Sequence, residues 1–118
     1  MKDAKDGAES KTAAFIKILE DHKAVEPVAI PIPEECSIAE AMIVAGASSR
    51  RHAQGMADAI AALCHENGYE ILGIEGKDAA DWILVDCNDV IIHILLEEAR
   101  GLYRLEELWA KTARRKEQ

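Results

Sequence analysis

Two short apolar runs separated by a polar dipeptide constrain the fold of this chain more than any other feature. The runs are Trp82–Cys87 and Val90–Leu95, and Asn88-Asp89 lies between them. Both runs are rich in Ile and Val, and Asn and Asp tolerate the positive φ angles of tight turns. The pattern therefore predicts a β-hairpin in which Cys87 pairs with Val90.

The hairpin has two different faces, because side chains alternate along a strand. The predicted cross-strand pairs are Trp82 with Leu95, Leu84 with His93, and Asp86 with Ile91. The aliphatic face, expected against the helices, holds Ile83, Val85, Cys87, Val90, Ile92 and Ile94. The other face adds an indole, a carboxylate and an imidazole to apolar groups, and we interpret it as a surface that meets a partner. A slip of one residue would exchange the faces.

The rest of the chain predicts an α/β (α+β) domain with a mixed sheet of about five strands and helices mainly on one face. Expected helices begin at Ser10 or Thr12, at about Ser49 and at about Glu97. They end near Lys23, Asn67 and Lys111. Expected strands are a proline-flanked edge segment within 25–33, a buried run at 41–45, residues 69–74 and the hairpin. The domain would span residues 10–111, between a disordered tail (1–9) and a basic tail (112–118).

Length and charge narrow the classes of function. A chain of 118 residues suits one domain, and its net charge of −8 disfavours nucleic acid as the main partner. The acidity suits a basic protein partner or simple solubility. We expect any contact of Arg114–Lys116 with RNA to be peripheral. No apolar run approaches a membrane span, so we expect a cytoplasmic protein, and its three cysteines do not form a disulfide framework.

Motifs for chemistry are weak. The four histidines have no metal-ligand spacing, and we expect neither metal nor cofactor. Gly46–Ser49 precedes a helix and could cradle an anion through backbone N–H groups. It faintly resembles the Gly-Ser turn of nucleotidyltransferases, but the following strand (69–75) lacks their Asp-x-Asp or Asp-x-Glu pair for magnesium. The interpretation of Ser48 and Ser49 that we prefer is helix capping.

A string of short motifs resembles the Iojap-like ribosomal silencing factors. The motifs are Gly-Ile-Glu-Gly (73–76), Ala-Asp-Trp (80–82), Val-Asp (85–86), Asp-Val-Ile-Ile-His (89–93), Glu-Ala-Arg (98–100) and Leu-Tyr-Arg-Leu-Glu-Glu-Leu-Trp (102–109). Earlier matches are 37–38, 42–44, Ser49, Arg51 and 56–60, so the resemblance covers about residues 13–110. Departures are Glu40 for Asp, Gly46-Ala47 for Thr/Ser-Gly, and Asn88 for Gly, which affect only local turn geometry.

The resemblance implies a fold similar to nucleotidyltransferases without their catalytic residues, and a role that is not enzymatic. It implies binding to the large ribosomal subunit at ribosomal protein L-fourteen. The bound protein would block joining of the small subunit and repress translation. It also implies that copies can associate with each other away from the ribosome.

The resemblance and the hairpin register together suggest the residues that meet the partner. Trp82 would be the anchor, because buried aromatic side chains dominate interface energies. Leu84, Leu95 and Met42 would add apolar contacts. Asp86, Glu75 and Asp81 would meet basic side chains, and His93 would hydrogen-bond. Two alternatives stay open: a nucleotide-binding, nucleotidyltransferase-like enzyme using Gly46–Ser49, and an acidic adaptor for another protein.

Overall fold

The computed structural model describes residues 4–32 and 40–97. The elements of this part are α1 (Ala4–Asp21), β1 (Val25–Pro31), β2 (Ala41–Ala47), α2 (Arg50–Asn67), β3 (Gly73–Glu75), β4 (Trp82–Asp86) and β5 (Val90–Leu96). All of the predicted helix from Glu97 to Lys111 except Glu97 itself lies outside the described residues, and so do residues 1–3 and the basic tail 112–118. Neither α1 nor α2 is long and apolar enough to cross a membrane.

The strands form one mixed sheet in the order β1-β2-β5-β4-β3. β2 and β5 are parallel at its centre, whereas β1 pairs with β2, and β4 with both β5 and β3, in antiparallel fashion. Parallel neighbours need a long crossover, and α2, β3 and β4 supply it here. The prediction of a mixed sheet of about five strands is confirmed, and β1 is the predicted proline-containing edge strand.

The hairpin of β4 and β5 has the predicted register. Trp82 pairs with Leu95, Leu84 with His93, and Asp86 with Ile91. The Cys87 N–H donates to the Val90 carbonyl at 2.9 Å, and Asn88 takes a left-handed φ of 73°. Asparagine accepts that conformation at lower cost than most residues, so it serves where glycine could stand.

Both helices pack on the aliphatic face of the hairpin. α2 begins after Ser49, whose hydroxyl accepts the His52 N–H at 3.0 Å, and ends before Gly68, which has a φ of 70°. These residues satisfy backbone groups that a helix end leaves free. The helix buries one stripe at helical spacing: Ala53, Met56, Ala57, Ile60 and Cys64. That stripe contacts Ile43, Ile83, Val85, Ile92 and Ile94 in the main core.

α1 begins earlier than predicted, and its buried positions include a lysine. It begins at Ala4, six residues before Ser10, the earliest predicted start. Ala, Lys and Glu are good helix formers even where apolar periodicity is missing. The buried positions are Lys11, Phe15 and Leu19, spaced by four, whereas Ala13 is exposed. The domain boundaries themselves stay a prediction.

Lys11 explains how α1 is oriented. Its ammonium group donates to the Cys87 carbonyl at 3.1 Å, lies 2.5 Å from an Asp89 carboxylate oxygen, and stands 5.2 Å from the centre of the Tyr69 ring. The residue is only 8% exposed. A buried charge is tolerated when it is paired and hydrogen-bonded in this way. Lys11 therefore connects α1 to the tip of the hairpin.

β3 is shorter than predicted. The prediction of a strand from Tyr69 was wrong, because only Gly73–Glu75 pairs with β4. β4 ends at Asp86, so earlier residues lack a continuing partner, although the Leu72 N–H still donates to the Asp86 carbonyl at 2.7 Å. Tyr69 instead packs edge-on against Phe15, with ring centres 6.1 Å apart.

Cys64 and Cys87 are fully buried free thiols whose sulfur atoms lie 3.8 Å apart. Burial raises the pKa of both thiols, that of Cys87 to about 12. The thiols therefore stay protonated near neutral pH, and a protonated thiol is a poor nucleophile. Both serve as small apolar core residues, while Cys36 lies outside the described residues.

Candidate partner-binding surface

The sheet face opposite α1 and α2, which we call the second face, carries the predicted partner-binding residues. Its half-buried side chains are Trp82, Leu84, Asp86, Ile91 and His93. Beside them lies a separate apolar cluster of Ile32, Met42, Val44 and Leu95, against which Ile30 and Trp82 pack. This cluster forms a buried apolar base on the second face, and the half-buried indole of Trp82 packs against it.

Met42 and Leu95 belong to that base. They are 1% and 0% exposed, respectively, and both belong to the cluster with Ile32 and Val44. In this conformation they support Trp82 and offer almost no surface of their own. Direct contact between either residue and a partner would require a local rearrangement, and their role in binding stays a prediction.

Trp82 and His93 form a hydrogen bond across β4 and β5. The indole Nε1–H donates to His93 Nδ1 at 2.9 Å, and the ring centres are 5.8 Å apart at an angle of 56°. His93 stands opposite Leu84 in the register, so it is the diagonal neighbour of Trp82, a distance that large aromatic side chains can bridge. Burial lowers the pKa of His93 to about 4, so the imidazole is neutral near neutral pH.

The turn that leads into Trp82 depends on Gly76. This residue has a φ of 82°, and a methyl group placed on its α-carbon would collide with the Trp82 carbonyl. The Ala80 N–H donates to the Gly76 carbonyl at 2.8 Å and closes the turn. Only glycine combines a left-handed conformation with so close a backbone approach at no steric cost.

Three polar side chains of α2 hold the same turn. Arg50 Nε donates to the Ala79 carbonyl at 3.0 Å, and its guanidinium forms an ion pair with Asp81 at 2.8 Å. Gln54 donates to the Lys77 carbonyl at 2.9 Å, and Asp58 is paired with the Lys77 ammonium. Residues four apart lie on one helix face, so α2 fixes the entry to β4 with a single polar stripe. Sequence reasoning missed this stripe, although its spacing was visible.

The three predicted acidic residues differ in their availability. Glu75 is exposed on β3, opposite Leu84. Asp86 is half-buried and accepts the Asn88 N–H at 3.0 Å. Asp81 is exposed but already paired with Arg50. Glu75 is therefore the carboxylate best placed to meet a basic side chain.

Leu72 was not selected from the sequence. It is 57% exposed, more than any other large apolar side chain among the described residues. Its backbone N–H donates to the Asp86 carbonyl, which places Leu72 next to the C-terminal end of β4. An apolar residue in a strand pattern is expected to be inside, so no sequence signal distinguished it.

The Gly46–Ser49 turn borders an open pocket of about 320 Å³ lined by Ala47, Ser48, Ser49, Arg50, Leu96 and Glu97. Ser49 caps α2, as expected, and the Ser48 backbone N–H donates to His52 Nδ1 at 3.0 Å. His52 in turn bonds the His22 carbonyl through Nε2 at 2.6 Å. Within 4–32 and 40–97, no three His, Cys, Asp or Glu residues cluster closely enough to hold a metal ion.

Comparison with known proteins decides the family. Residues 5–118 match the family model described as "Ribosomal silencing factor during starvation". The chain belongs to the ribosomal silencing factor family. The resemblance seen in the sequence motifs is thereby confirmed, and the match covers nearly all of the chain.

Relatives of known name agree with this assignment. The ribosomal silencing factor of Haemophilus influenzae is 38% identical over 96 residues, which cover 81% of this chain and 94% of that protein. A mouse protein named for mitochondrial assembly of the large ribosomal subunit is 31% identical over 108 residues, 87% of this chain and 46% of its own length. The family name thus extends to a relative that is named for large-subunit assembly.

The fold also matches a solved family structure. The crystal structure of a Chromobacterium violaceum protein superposes with a TM-score of 0.83 and 31% identity, covering 86% of this chain and 85% of that one. A likeness of that extent confirms the predicted mixed five-stranded sheet with helices. The similarity to nucleotidyltransferases stays a prediction.

Proposed function

We propose that this protein acts by binding and not by catalysis. It docks on the large ribosomal subunit through ribosomal protein L-fourteen, and its bulk keeps the small subunit from joining. Family membership supports the ribosomal setting. The observation that carries the docking step is the half-buried Trp82 on the face that α1 and α2 leave free.

The second face has the composition of a docking site for a basic protein. Half-buried Trp82 and Leu84 provide apolar area, while exposed Glu75 and half-buried Asp86 lie at its β3 side. Interfaces commonly place aromatic anchors at the centre and polar groups at the rim. The net charge of −8 favours encounter with a cationic partner surface.

Sedimentation with separated ribosomal subunits tests the proposal. We expect the protein to pellet with large subunits but not with small subunits, and to reduce the fraction of joined ribosomes when both are present. Co-sedimentation with small subunits alone, or unchanged joining at saturating protein, would refute it. Size-exclusion chromatography of the free protein would test the self-association that we also expect.

Truncation of the anchor connects this activity to the second face. Trp82→Ala should weaken binding to large subunits by about 30-fold, since an aromatic anchor contributes about 2 kcal/mol or more. His65→Ala is the control, because His65 is exposed on α2, which packs on the other face of the sheet. Thermal melting must show that both variants fold. A folded Trp82→Ala protein that binds as the wild type does would remove this residue from the interface.

A further inference from the structure

The Trp82–His93 hydrogen bond determines the charge state and the tautomer of the imidazole. An indole N–H can only donate, so His93 Nδ1 must accept the bond at 2.9 Å. The ring is therefore neutral and carries its hydrogen on Nε2. The lowered pKa of the buried ring keeps it in this form near neutral pH. Near neutral pH, His93 Nδ1 therefore stays available to accept the hydrogen bond from the Trp82 indole.

The bond also removes the polar character of the indole. Trp82 is half-buried against the apolar cluster of Ile32, Met42, Val44 and Leu95. With its one N–H donating to His93, the indole needs no hydrogen-bond acceptor from a partner. A buried donor without an acceptor would weaken any complex that covered it, and the internal bond prevents that loss.

We propose that His93 is a positioning residue for docking: it fixes the Trp82 indole with its N–H already bonded, so that the partner contacts the ring with an apolar side chain. This inference rests on the proposed function and specifies the chemistry of its central contact. A fixed ring loses less conformational freedom on binding than a mobile one. The cationic groups of the partner would lie outside that contact, toward Glu75.

The sheet geometry supports an action through Trp82 instead of direct contact. His93 lies on the central strand β5, between Val44 of β2 and Leu84 of β4. Trp82 begins β4, diagonally next to it, and packs over the apolar cluster. A residue enclosed by neighbours on both sides affects a partner mainly through the side chain that it holds.

Affinity for isolated large ribosomal subunits, measured for a set of variants, tests the proposal. His93→Leu removes the acceptor and should weaken binding about tenfold, whereas His93→Asn, whose amide oxygen can replace Nδ1, should stay within about threefold of the wild type. His65→Leu, at an exposed position on α2, is the control and should bind normally. A folded His93→Leu protein with wild-type affinity would overturn the inference.

A double-mutant cycle separates positioning from a general structural effect. In the Trp82→Phe background, which has no N–H to position, His93→Leu should change the affinity by less than about twofold. An equal loss in both backgrounds would show that His93 does not act through Trp82. The indole N–H signal of Trp82, identified by comparison with Trp109→Phe, should shift in His93→Leu and be restored in His93→Asn.

Different results refute the proposed function and the positioning role of His93. If the wild type itself does not bind large subunits, the proposed function is refuted and the docking role of His93 with it. If the wild type binds large subunits and the folded His93→Leu protein binds them equally well, only the positioning role is refuted.

Discussion

Lys11 and Asp89 form an ion pair of 2.5 Å between the first helix and the tip of the hairpin. Their side chains are 11% and 26% exposed, so the pair is largely removed from water. The same ammonium donates to the Cys87 carbonyl. One long side chain thus satisfies two acceptors at the point where the sheet turns.

Lys11→Met should therefore destabilise the protein. The substitution keeps most of the apolar stem but leaves Asp89 and the Cys87 carbonyl without this donor, which should lower the free energy of unfolding by about 1–3 kcal/mol. Urea denaturation measures the change. Lys17→Met, at an exposed position of the same helix, should have little effect. Equal stability of the two variants would contradict a role for the buried pair.

Gly76 should be intolerant of a methyl group. Its φ of 82° is unfavourable for alanine, and the added methyl would meet the Trp82 carbonyl. Gly76→Ala should lower the free energy of unfolding by about 2 kcal/mol or more. It should also move Trp82, which would change the intrinsic fluorescence.

Gly55 provides the matched control for that substitution. It lies within α2, and a methyl group there would meet no atom within 4 Å. Gly55→Ala should raise the free energy of unfolding by about 0.5–1 kcal/mol, because glycine loses more freedom than alanine in a helix. If both variants were destabilised alike, the close approach of Gly76 to β4 would not be the cause.

The sequence predicted the hairpin and α2 because local rules determine both. A two-residue turn sets the hairpin register, and strand alternation then assigns every side chain to a face. Ser49 and Gly68 bound α2 through backbone geometry alone. The side chains of β4 and β5 that lie on the second face could therefore be predicted one by one from the sequence.

The remaining features depend on contacts between distant segments. A lysine is expected at the surface, so the burial of Lys11 against the hairpin tip had no local signal. Strand alternation placed Leu95 on the second face but could not show that it is fully buried there in a cluster with Met42. The Trp82–His93 bond was implicit in the register, yet the direction of two side chains cannot be read from pairing alone.

His93 should make stability depend on pH. Its pKa in the folded protein is about 4, below the ordinary value of 6.5, because burial disfavours the charged ring. The unfolded chain therefore binds a proton at a higher pH than the folded chain does. The contribution of His93 is complete above about 6.5 and is lost as the pH falls toward 4, by about 3 kcal/mol in total.

Denaturation curves of the wild type and of His93→Asn, recorded across the pH range, isolate the contribution of His93 to the free energy of unfolding. The wild type and His93→Asn share all carboxylates, so their titrations cancel in the difference between the two free energies of unfolding. That difference should narrow between pH 6.5 and pH 4 as the wild type loses stability. A constant difference across this range would show that the imidazole is not buried in the neutral form.

Glu75→Lys should slow binding to the large ribosomal subunit under the proposed function. Glu75 is exposed beside Leu84 on the second face, and a positive charge there would repel a basic partner. We expect the association rate constant to fall by about three- to tenfold at low salt and the effect to shrink near 0.15 M, where screening acts over about 8 Å. Stopped-flow measurement with labelled protein follows this rate.

Glu66→Lys, at an exposed position on α2, changes the net charge equally and should slow binding much less. Similar slowing by both variants would mean that total charge guides the encounter, and the acidic rim of the second face would then have no specific part in docking.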